Sequence, residues 1–414
     1  MEKLQQLKRD ACAIIDRVLR DAMPGQAVMR ALENADFKDK RVVLIAAGKA
    51  AYSMAAAACR QLGSRIMTGI VITKYGHAGA PLPNVEIYEA GHPVADQNGF
   101  AATEKAIELA KSCGENDVVL FLLSGGGSAL FESPLVDEEE LADITAQMLG
   151  CAMPIQKINT IRKRLSKVKG GRFAQICAPA QVYSIVLSDI VGDPLDMIAS
   201  GPCVADTSTC GQATRIVEEY GLKISDTVRQ LLNRETPKQI NNVQTLVTGS
   251  VSGLCSSAKA MCEQLGYEAF VLQEDMQCEA KEGAKILTEA ARPFWQAGKK
   301  AAFIAGGETV VKLTGSGLGG RNQEFALSGA KLIDGWSGAL LLSLGSDGTD
   351  GPTDAAGGMV HGGTCALLKA QGIDIDEVLF QNDSYHALKA ADSLIVTGPT
   401  GTNVNDVAVL LVDK

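Results

Sequence analysis

Residues 117–130, DVVLFLLSGGGSAL, join a continuous run of apolar residues to a glycine-rich turn. An uninterrupted apolar run of this length is typical of a strand that is buried on both faces of a parallel sheet. The turn SGGGS at 124–128 lets backbone N–H groups approach an anion, because its three adjacent glycines carry no side chains. We therefore expect a phosphate-binding loop at the end of this strand, with a tight strand-to-helix turn as the structural alternative.

Runs of the same kind recur along the first half of the chain, and most are separated by helical patterns. They are VVLIAAGKA at 42–50, GIVITKYG at 69–76, VEIYEAGHP at 85–93 and YSIVLSDIVGD at 183–193. Strands that alternate with helices predict right-handed crossovers and a parallel sheet. The first half of the chain is therefore predicted to be α/β, with ligand-binding side chains at the carboxyl ends of its strands.

A second series of apolar runs begins after residue 240, where a helical pattern ends at a proline and two asparagines. The runs include VQTLVTGSVSG at 243–253, KAAFIAGGETVVKLTG at 300–315 and GALLLSLGSDGTDGP at 338–352. Residues 392–412 are predicted to form two strands joined by a turn, so this sheet is expected to be mixed. We place two domains at 1–240 and 241–414, with packing of the final strands back onto the first domain as an alternative.

Composition and charge narrow the class of protein. The chain is 46% hydrophobic and 21% charged, which is too apolar for a disordered protein. Its 39 basic and 48 acidic residues give a net charge of -9, which favours neither a nucleic acid nor an anionic membrane as partner. The eleven cysteines contain no C-x-x-C pair, and the N-terminus has the pattern of an amphipathic helix rather than a signal peptide. A cytoplasmic protein with reduced thiols is expected.

Two groups of cations are candidates for anion binding. Lys49 follows a very apolar strand at its carboxyl end, where a desolvated ammonium could hold a phosphoryl group. The run KINTIRKRLSKVKGGR at 157–172 carries seven basic side chains in an acidic protein. Such runs are often solvated helix faces, and both interpretations of this one stay open.

Carboxylates after predicted strands are candidates for binding Mg²⁺. They are Asp189, Asp193, Asp196, Glu308, Asp347, Asp350 and Asp354. Oxygen ligands on glycine-rich turns suit Mg²⁺, which keeps several waters and bridges nucleotide phosphates. Capping of turns is the alternative for any one of them. The four histidines show no metal-ligand spacing, and most are expected to be structural.

Residues 315–320 satisfy the pattern G-x-G-x-x-G and follow the strand-like VVKLT at 310–314. This pattern is a fingerprint for dinucleotide binding, but the acidic residue expected about 20 residues later is missing from its place. Arg321 directly after the glycines could instead bind a carboxylate or a phosphate with two parallel hydrogen bonds.

Several of these segments together resemble the class II glycerate kinases, the glycerate 2-kinase family whose C-terminal part is called MOFRL. The segments are GKAAYSMA, LSGGGSALFESP, INTIRKRLSKVKGGRFA, LSDIVGDPLDMIASGP, AGGETVVKLTGSGLGGRNQEFAL and GSDGTDGPTDAAGG. The resemblance runs from about Arg41 to the C-terminus. It implies a two-domain α/β protein with an N-terminal Rossmann-like, mostly parallel sheet, flanking helices and a C-terminal mixed-sheet domain. The active site would lie in the interdomain cleft.

The resemblance also implies an activity and a set of residues. The activity is transfer of the ATP γ-phosphoryl group to the 2-hydroxyl of D-glycerate with Mg²⁺, and the small-molecule partners are ATP and D-glycerate. Lys49 and Arg321 match the key catalytic cations of the family, and Asp189 is expected to orient the 2-hydroxyl or bind the metal. Expected metal ligands are Asp189, Asp193, Asp347 and Asp350. Expected nucleotide-binding residues are Ser124, Gly125, Gly126, Gly127, Ser128, Gly306, Gly307, Glu308 and Asn322.

Two other functions are weighed against the kinase. Some family members have been named hydroxypyruvate reductases, and an NAD(P)-dependent reductase would use the glycine pattern at 315–320. A nucleotide-binding module without chemistry is the third hypothesis. Both are ranked below the kinase, because no proton-donating histidine paired to a carboxylate is legible and the candidate cations and acids follow strands. A homo-oligomer is compatible with the sequence.

Overall fold

The structure is a computed structural model that describes residues 2–33, 35–37, 39–188 and 194–414. The described chain forms two compact units. The first unit contains residues 27–188 and 194–248, and the second contains residues 2–26 and 249–414. The main segment of the second unit thus begins at Gly249, eight residues after the predicted start at 241, and the unit also includes the start of the chain.

The packing of the N-terminal helix explains why the start of the chain belongs to the second unit. Helix α1 (Glu2–Ala22) buries one face that includes Leu7, Ile14 and Val18, and this face packs against a helix and a strand of the second unit. Inside the unit, the Asp10 carboxylate accepts a hydrogen bond of 2.7 Å from the buried Tyr267 hydroxyl. The helical periodicity of α1 was legible in the sequence, whereas its packing partner was not.

The first unit is built on a six-stranded sheet in the order β3-β2-β1-β4-β5-β6, and every pair of neighbours is parallel. The strands are β1 (Arg41–Ala47), β2 (Ile66–Lys74), β3 (Val85–Ala90), β4 (Asp117–Leu123), β5 (Gln181–Leu187) and β6 (Val243–Thr248). This is the strand order of dinucleotide-binding α/β folds, and the predicted parallel sheet is confirmed.

The helices of the first unit pack against its sheet or against one another, and the chain enters this unit within α2. They are α2 (Pro24–Glu33), α3 (Ala51–Leu62), α4 (Gln97–Lys111), α5 (Gly127–Leu130), α6 (Glu138–Gly150), α7 (Ile155–Arg162), α8 (Arg172–Cys177), α9 (Cys210–Tyr220) and α10 (Asp226–Leu232). Two short 3-10 helices lie at Gly63–Arg65 and Ile198–Ser200. Phe121, Phe131 and Phe173 pack their rings together in the core, below the glycine turn.

The second unit is built on a six-stranded sheet in the order β11-β10-β9-β12-β8-β7. The strands are β7 (Glu268–Met276), β8 (Ala301–Gly307), β9 (Ala339–Gly345), β10 (Gly357–His361), β11 (Leu394–Ile395) and β12 (Asp406–Val412). Its other helices are α11 (Val251–Gln264), α12 (Ala280–Gln296), α13 (Arg321–Leu332), α14 (Thr364–Ala370), α15 (Ile375–Phe380) and α16 (Ser384–Ala390).

This second sheet is mixed, as predicted. Only β7 and β8 pair in parallel, and the remaining neighbours are antiparallel. The two final strands do not pair with each other, because β12 lies between β8 and β9 whereas β11 pairs with β10 at the edge. No helix within the described residues is long and apolar enough to cross a membrane.

Candidate active site

Lys49 lies just beyond the carboxyl end of β1, and its side chain is exposed. Its ammonium group forms no hydrogen bond or ion pair with any residue that the structure describes. The preceding Gly48 has a φ of +123°, and a Cβ atom there would lie 2.2 Å from the Ser124 hydroxyl oxygen. Glycine at this position therefore lets the Lys49 segment pass directly over the end of β4.

The residues 124–128, which we call the glycine loop, are tied to the Lys49 segment by backbone hydrogen bonds. Lys49 N donates to Gly125 O at 2.9 Å, and Ser124 N donates to Ala47 O at 3.0 Å. The buried Ser124 hydroxyl accepts a hydrogen bond of 3.0 Å from Ala50 N. The neighbouring parallel strands β1 and β4 thus bring the Lys49 segment and the glycine loop together at their carboxyl ends.

Three backbone N–H groups of the glycine loop have no acceptor within the described part of the chain, namely those of Gly125, Gly126 and Ser128. Gly126 adopts the left-handed conformation, with a φ of +85°. Successive N–H groups of this kind, without partners and beside a cation, form a suitable environment for an anion. This arrangement favours the phosphate-binding interpretation of the loop over a simple turn.

His92 also lies at the glycine loop, although the histidines were expected to be mostly structural. A Cβ atom on Gly126 would lie 2.9 Å from His92 Cδ2 and 3.2 Å from Lys49 Cγ. The ring and the lysine stem therefore flank the same glycine. His92 follows β3 as Lys49 follows β1, and this position after a strand was the only signal in the sequence that could have identified it.

The basic run at 157–172 is used mainly inside the first unit. Six of its seven basic side chains have described partners, and these are Lys157 with Glu219, Lys163 with Asp206, Arg164 with Glu235, Lys167 with Glu104, Lys169 with Glu132, and Arg172 with the Ser166 carbonyl. The run is therefore a set of internal ion pairs more than an open anion-binding surface. The predicted Asp189 and Asp193 lie outside the described residues.

The second unit contains a cavity of about 1070 Å³, which we call the arginine pocket. It is lined by Arg321, by residues after β8 and β9, and by the loop at 314–320. Arg321 is the first residue of α13, and its side chain is 35% exposed. A cavity of this volume is large enough for a small-molecule ligand.

Asp406 and Glu308 fix the Arg321 guanidinium in the arginine pocket. Arg321 Nε donates to Asp406 Oδ2 at 2.5 Å, and Nη2 donates to Asp406 Oδ1 at 3.0 Å. Nη1 donates to Glu308 Oε1 at 2.9 Å. A guanidinium has five N–H donors, so two remain for a ligand. Arg321 is therefore held in one orientation and still able to bind an anion.

Asp406 was not predicted as a site residue. It is the first residue of β12 and pairs in register with Gly307 and Gly345, so the antiparallel strand brings it to the edge where β8 and β9 end. Burial raises its pKa to about 6, and the Arg321 guanidinium opposes this shift. Its position at the start of the apolar run in NDVAVLLV is the only signal that the sequence offered.

Asp350 and Asn322 use their side chains for hydrogen bonds within the second unit. The Asp350 carboxylate accepts hydrogen bonds from Asn322 N at 3.1 Å and Gln323 N at 2.8 Å, so it caps the first turn of α13. Burial raises the pKa of Asp350, and these bonds oppose the shift. The buried Asn322 side chain accepts a hydrogen bond from the Ser343 hydroxyl at 2.6 Å. Both residues thus support the α13 start at Arg321.

Gly306 and Gly307 are packing positions of β8. A Cβ atom on Gly306 would lie 2.5 Å from Val251 Cγ1, and one on Gly307 would lie 2.2 Å from the Met276 carbonyl oxygen. Both glycines therefore allow close contact of β8 with its neighbours in the unit. The two residues place Glu308 at the end of the strand.

Asp347 and Glu308 are the predicted acids that the arginine pocket leaves accessible. Asp347 is half-buried, and its Oδ1 accepts a hydrogen bond of 2.9 Å from Thr349 N. Within the described residues, no cluster of three or more metal-ligating side chains is present. Two carboxylates in one cavity fit the way Mg²⁺ is bound beside phosphates, where one or two protein ligands are enough.

The glycine pattern at 315–320 does not form a dinucleotide-binding turn. The predicted strand VVKLT before it is absent, and only Val310 forms an isolated β-bridge. A Cβ atom on Gly315 would lie 2.4 Å from the Gln381 backbone, and one on Gly319 would lie 2.2 Å from the Ser384 hydroxyl. These glycines therefore let the loop pack against the end of α15 and the start of α16, and they do not follow a strand as the fingerprint requires.

Comparison with known proteins identifies relatives that match the chain across both units. The model "Domain of unknown function (DUF4147)" matches residues 10–233, and the MOFRL family matches residues 301–406. The chain is 47% identical to a D-glycerate 2-kinase of Thermotoga maritima over 99% of both chains. It is 37% identical to a glycerate 2-kinase of Pyrococcus horikoshii over 96% of both. A crystal structure of glycerate kinase from Thermotoga maritima matches with a TM-score of 0.92 at 46% identity, covering 99% of this chain and 100% of that one.

These full-length matches agree with the six ordered motifs, and the chain belongs to the glycerate 2-kinase family, with MOFRL as its C-terminal part.

Proposed function

We propose that this protein is a glycerate 2-kinase that transfers the γ-phosphoryl group of ATP to the 2-hydroxyl of D-glycerate. The observation that carries the proposal is the Lys49 ammonium, which has no partner among the described residues and whose backbone is hydrogen-bonded to the glycine loop, together with three N–H groups of that loop that lack an acceptor there. Full-length similarity to glycerate 2-kinases supports the choice of substrate. Phosphoryl transfer needs positioning and charge stabilisation more than covalent chemistry, and this arrangement supplies both.

The glycine loop is assigned to the phosphates of ATP. Gly125, Gly126 and Ser128 would donate their backbone N–H groups to phosphate oxygens, and Lys49 would neutralise charge that develops on the transferring group. Because the loop is hydrogen-bonded to the Lys49 segment, the donors and the backbone that carries the ammonium are held together before the substrate arrives. Little reorganisation is then needed during the reaction.

Arg321 is assigned to the transferring phosphoryl group or the glycerate carboxylate. Its contacts with Asp406 and Glu308 leave two N–H donors for the ligand, enough for a two-point bond to a carboxylate or phosphate. The pocket also contains several acids, so an anion would be admitted only where Arg321 meets it. Selectivity for the position of the anion follows from this distribution of charge.

Mg²⁺ is proposed as the metal, with Glu308 and Asp347 as the described residues that would hold it. When bound, Mg²⁺ neutralises part of the phosphate charge of the nucleotide. Asp189 and Asp193 stay predictions as further ligands, and Asp189 stays a prediction for orienting the 2-hydroxyl. Asp350 is less suited as a ligand, because its two oxygens already accept hydrogen bonds from the start of α13.

A cytoplasmic location is part of the proposal. All eleven cysteines are free thiols in the structure, which suits a reducing compartment. Burial raises the pKa of several of these thiols, including Cys255 to about 12, so they are poor nucleophiles and are not assigned a role in the reaction.

The proposal is tested by measuring ADP formation with purified protein, ATP and Mg²⁺, in the presence and absence of D-glycerate. ADP formation that depends on D-glycerate is expected. The NAD(P)-dependent reductase is tested in the same preparation with NADH and hydroxypyruvate, and no NADH oxidation is expected. Oxidation of NADH without ADP formation would replace the kinase with the reductase, despite the unsuitable loop at 315–320.

A further inference from the structure

Lys169 is a buried cation directly behind the glycine loop, and it has no exposed surface. Burying an ammonium group is costly unless its charge is paired and its N–H donors are used. Lys169 Nζ lies 2.9 Å from Glu132 Oε2, and it donates to Ser128 O at 2.9 Å and to Phe131 O at 3.1 Å. An ammonium has three donors, so these contacts use all of them.

The two carbonyl groups show what Lys169 holds. Ser128 is the last residue of the glycine loop, and Phe131 follows the short helix α5 that begins in the loop. Lys169 therefore holds the backbone within α5, at Ser128, and just after it, at Phe131. A surface lysine with a single flexible partner could not do this, because its remaining donors would bind water.

The residues next to Lys169 bind a segment that packs against the glycine loop. Gly170 N donates to Ser200 O at 2.9 Å, and Gly171 N donates to Gly201 O at 2.8 Å. The segment bound in this way contains Ala199, and a Cβ atom on Gly127 would lie 2.8 Å from Ala199 Cβ. The KGG segment at 169–171 thus contacts the loop through Lys169 and supports the segment that packs against Gly127.

The supported segment is itself in an uncommon conformation. Ala199 and Ser200 have φ values of +49° and +59°, in the left-handed region that residues with a side chain rarely adopt. Residues in this conformation are strained and persist only where their surroundings hold them. The buried Ser200 hydroxyl donates to Asn159 Oδ1 at 3.0 Å, which adds to the two bonds from the KGG segment. Several contacts around the glycine loop therefore maintain one backbone geometry.

We infer that Lys169 is a positioning residue of the kinase, which holds the glycine loop in its phosphate-binding geometry without touching the substrate. Glu132 balances the charge of Lys169, and the pair acts as one unit. The inference rests on the proposed function, in which this loop binds the phosphates of ATP. Lys169 lies 41 positions after Ser128 in the chain. Its position in the basic run at 157–172 did not distinguish it from the other basic residues there.

The inference is tested with three variants of the full-length protein. Lys169→Met removes the cation but leaves Glu132 as an unpaired buried charge, so this variant can lose stability for that reason alone. The double variant Lys169→Met with Glu132→Met removes the pair as a unit and is expected to fold. Arg164→Met is the matched control, because Arg164 is an equally buried cation of the same unit whose ion pairs with Asp206 and Glu235 and bonds to Thr160 and Ser208 do not involve the glycine loop.

Steady-state kinetics and hydrogen exchange are measured on each variant, after thermal melting has shown that it is folded. In the double variant we expect the KM for ATP to rise about tenfold to a hundredfold, with a much smaller change in the KM for D-glycerate. Amide hydrogens in peptides from 124–131 should exchange faster in the double variant than in the parent protein. Their exchange rate should be unchanged in Arg164→Met. A folded double variant with parental ATP kinetics and parental exchange would overturn the inference.

Failure of the proposed kinase function and failure of the positioning role of Lys169 give different results. If the parent protein forms no ADP with D-glycerate, the proposed function is wrong. Exchange of peptides from 124–131 still decides the positioning role in that case, since faster exchange in the double variant supports it and unchanged exchange contradicts it. If the parent protein is active, a raised KM for ATP in Arg164→Met equal to that of the double variant would show a general effect of lost stability and would also overturn the inference.

Discussion

Arg321 and Asp406 form a two-point ion pair, with 2.5 Å between Nε and Oδ2 and 3.0 Å between Nη2 and Oδ1. The pair joins the first residue of α13 to the first residue of β12, which are 85 positions apart in the chain. A fixed guanidinium needs little reorganisation when it binds an anion. The orientation of the predicted catalytic arginine is therefore set by a residue that had not been predicted.

Replacing Arg321 tests its assigned role. Arg321→Lys keeps a positive charge but cannot form the two-point bonds to Asp406 and to a ligand at once. We expect Arg321→Lys and Arg321→Ala each to lose about a hundredfold or more in kcat/KM, as measured by ADP formation. Circular dichroism should show that both are folded. Activity near that of the parent in either variant would remove Arg321 from the mechanism.

Replacing Lys49 should affect activity and leave stability nearly unchanged. The Lys49 ammonium has no partner among the described residues, so its loss breaks no ion pair there. We expect Lys49→Met to lose about a hundredfold or more in kcat, while the free energy of unfolding changes by less than about 0.5 kcal/mol. Chemical denaturation and turnover measured on one preparation check both parts. A large loss of stability would mean that Lys49 has a structural contact instead.

The pH dependence of turnover should reflect Asp406. The pKa of Asp406 in the folded protein is about 6, raised from an ordinary value of 3.8. The carboxylate that holds Arg321 is therefore present above pH 6 and is lost as the pH falls through this value. We expect kcat/KM to decline below about pH 6 in the parent protein. In Asp406→Asn, kcat/KM should be lower at every pH and should not decline further below pH 6. An identical decline in both proteins would mean that another group causes it.

The same shift has a consequence for stability. Because the folded pKa of Asp406 exceeds the unfolded value, the folded state binds more protons between these two values. The contribution of this group to the free energy of unfolding is thus fully present below about pH 4 and is lost as the pH rises through 6. Urea unfolding of the parent and of Asp406→Asn across pH 4 to 7 measures this contribution as the difference between the two curves.

Gly126 should tolerate no side chain without a loss of phosphate binding. Gly126 and Gly221 both have a left-handed backbone, with φ values of +85° and +62°, but a Cβ atom contacts a neighbour only at Gly126. Gly126→Ala would press on His92 and Lys49, whereas Gly221→Ala meets open space. Both should lose about 1 kcal/mol of stability.

Only Gly126→Ala is expected to raise the KM for ATP, by about tenfold or more. Thermal melting and ATP kinetics on the two variants separate the backbone cost from the effect on the site. An equal KM for ATP in Gly126→Ala and Gly221→Ala would contradict the assignment of the glycine loop to phosphate.

The first unit was largely predictable because its signals are local. Continuous apolar runs that alternate with helices predict a parallel sheet, and parallel neighbours place Lys49 and the glycine loop at one edge. This prediction requires no information on contacts between distant parts of the sequence, since Lys49 and the glycine loop each directly follow a strand. His92 obeys the same rule, and it was missed because a lone histidine after a strand carries no further signal.

The second unit was less predictable because its site depends on antiparallel register. Asp406 reaches Arg321 only because β12 runs between β8 and β9 in the opposite direction. Asp350 lies in a turn that suits a metal ligand equally well, and only the packing of α13 shows that it caps a helix. Neither the register of β12 nor the capping of α13 by Asp350 can be read from composition or from the spacing of residues.

The measurement that most directly tests the central claim is phosphorus NMR of the purified protein with ATP, Mg²⁺ and D-glycerate. The spectrum reports both the formation of ADP and the hydroxyl that receives the phosphate. We predict a growing signal of 2-phosphoglycerate together with ADP. A signal of 3-phosphoglycerate, or ATP that stays unchanged while D-glycerate is present, would contradict the account.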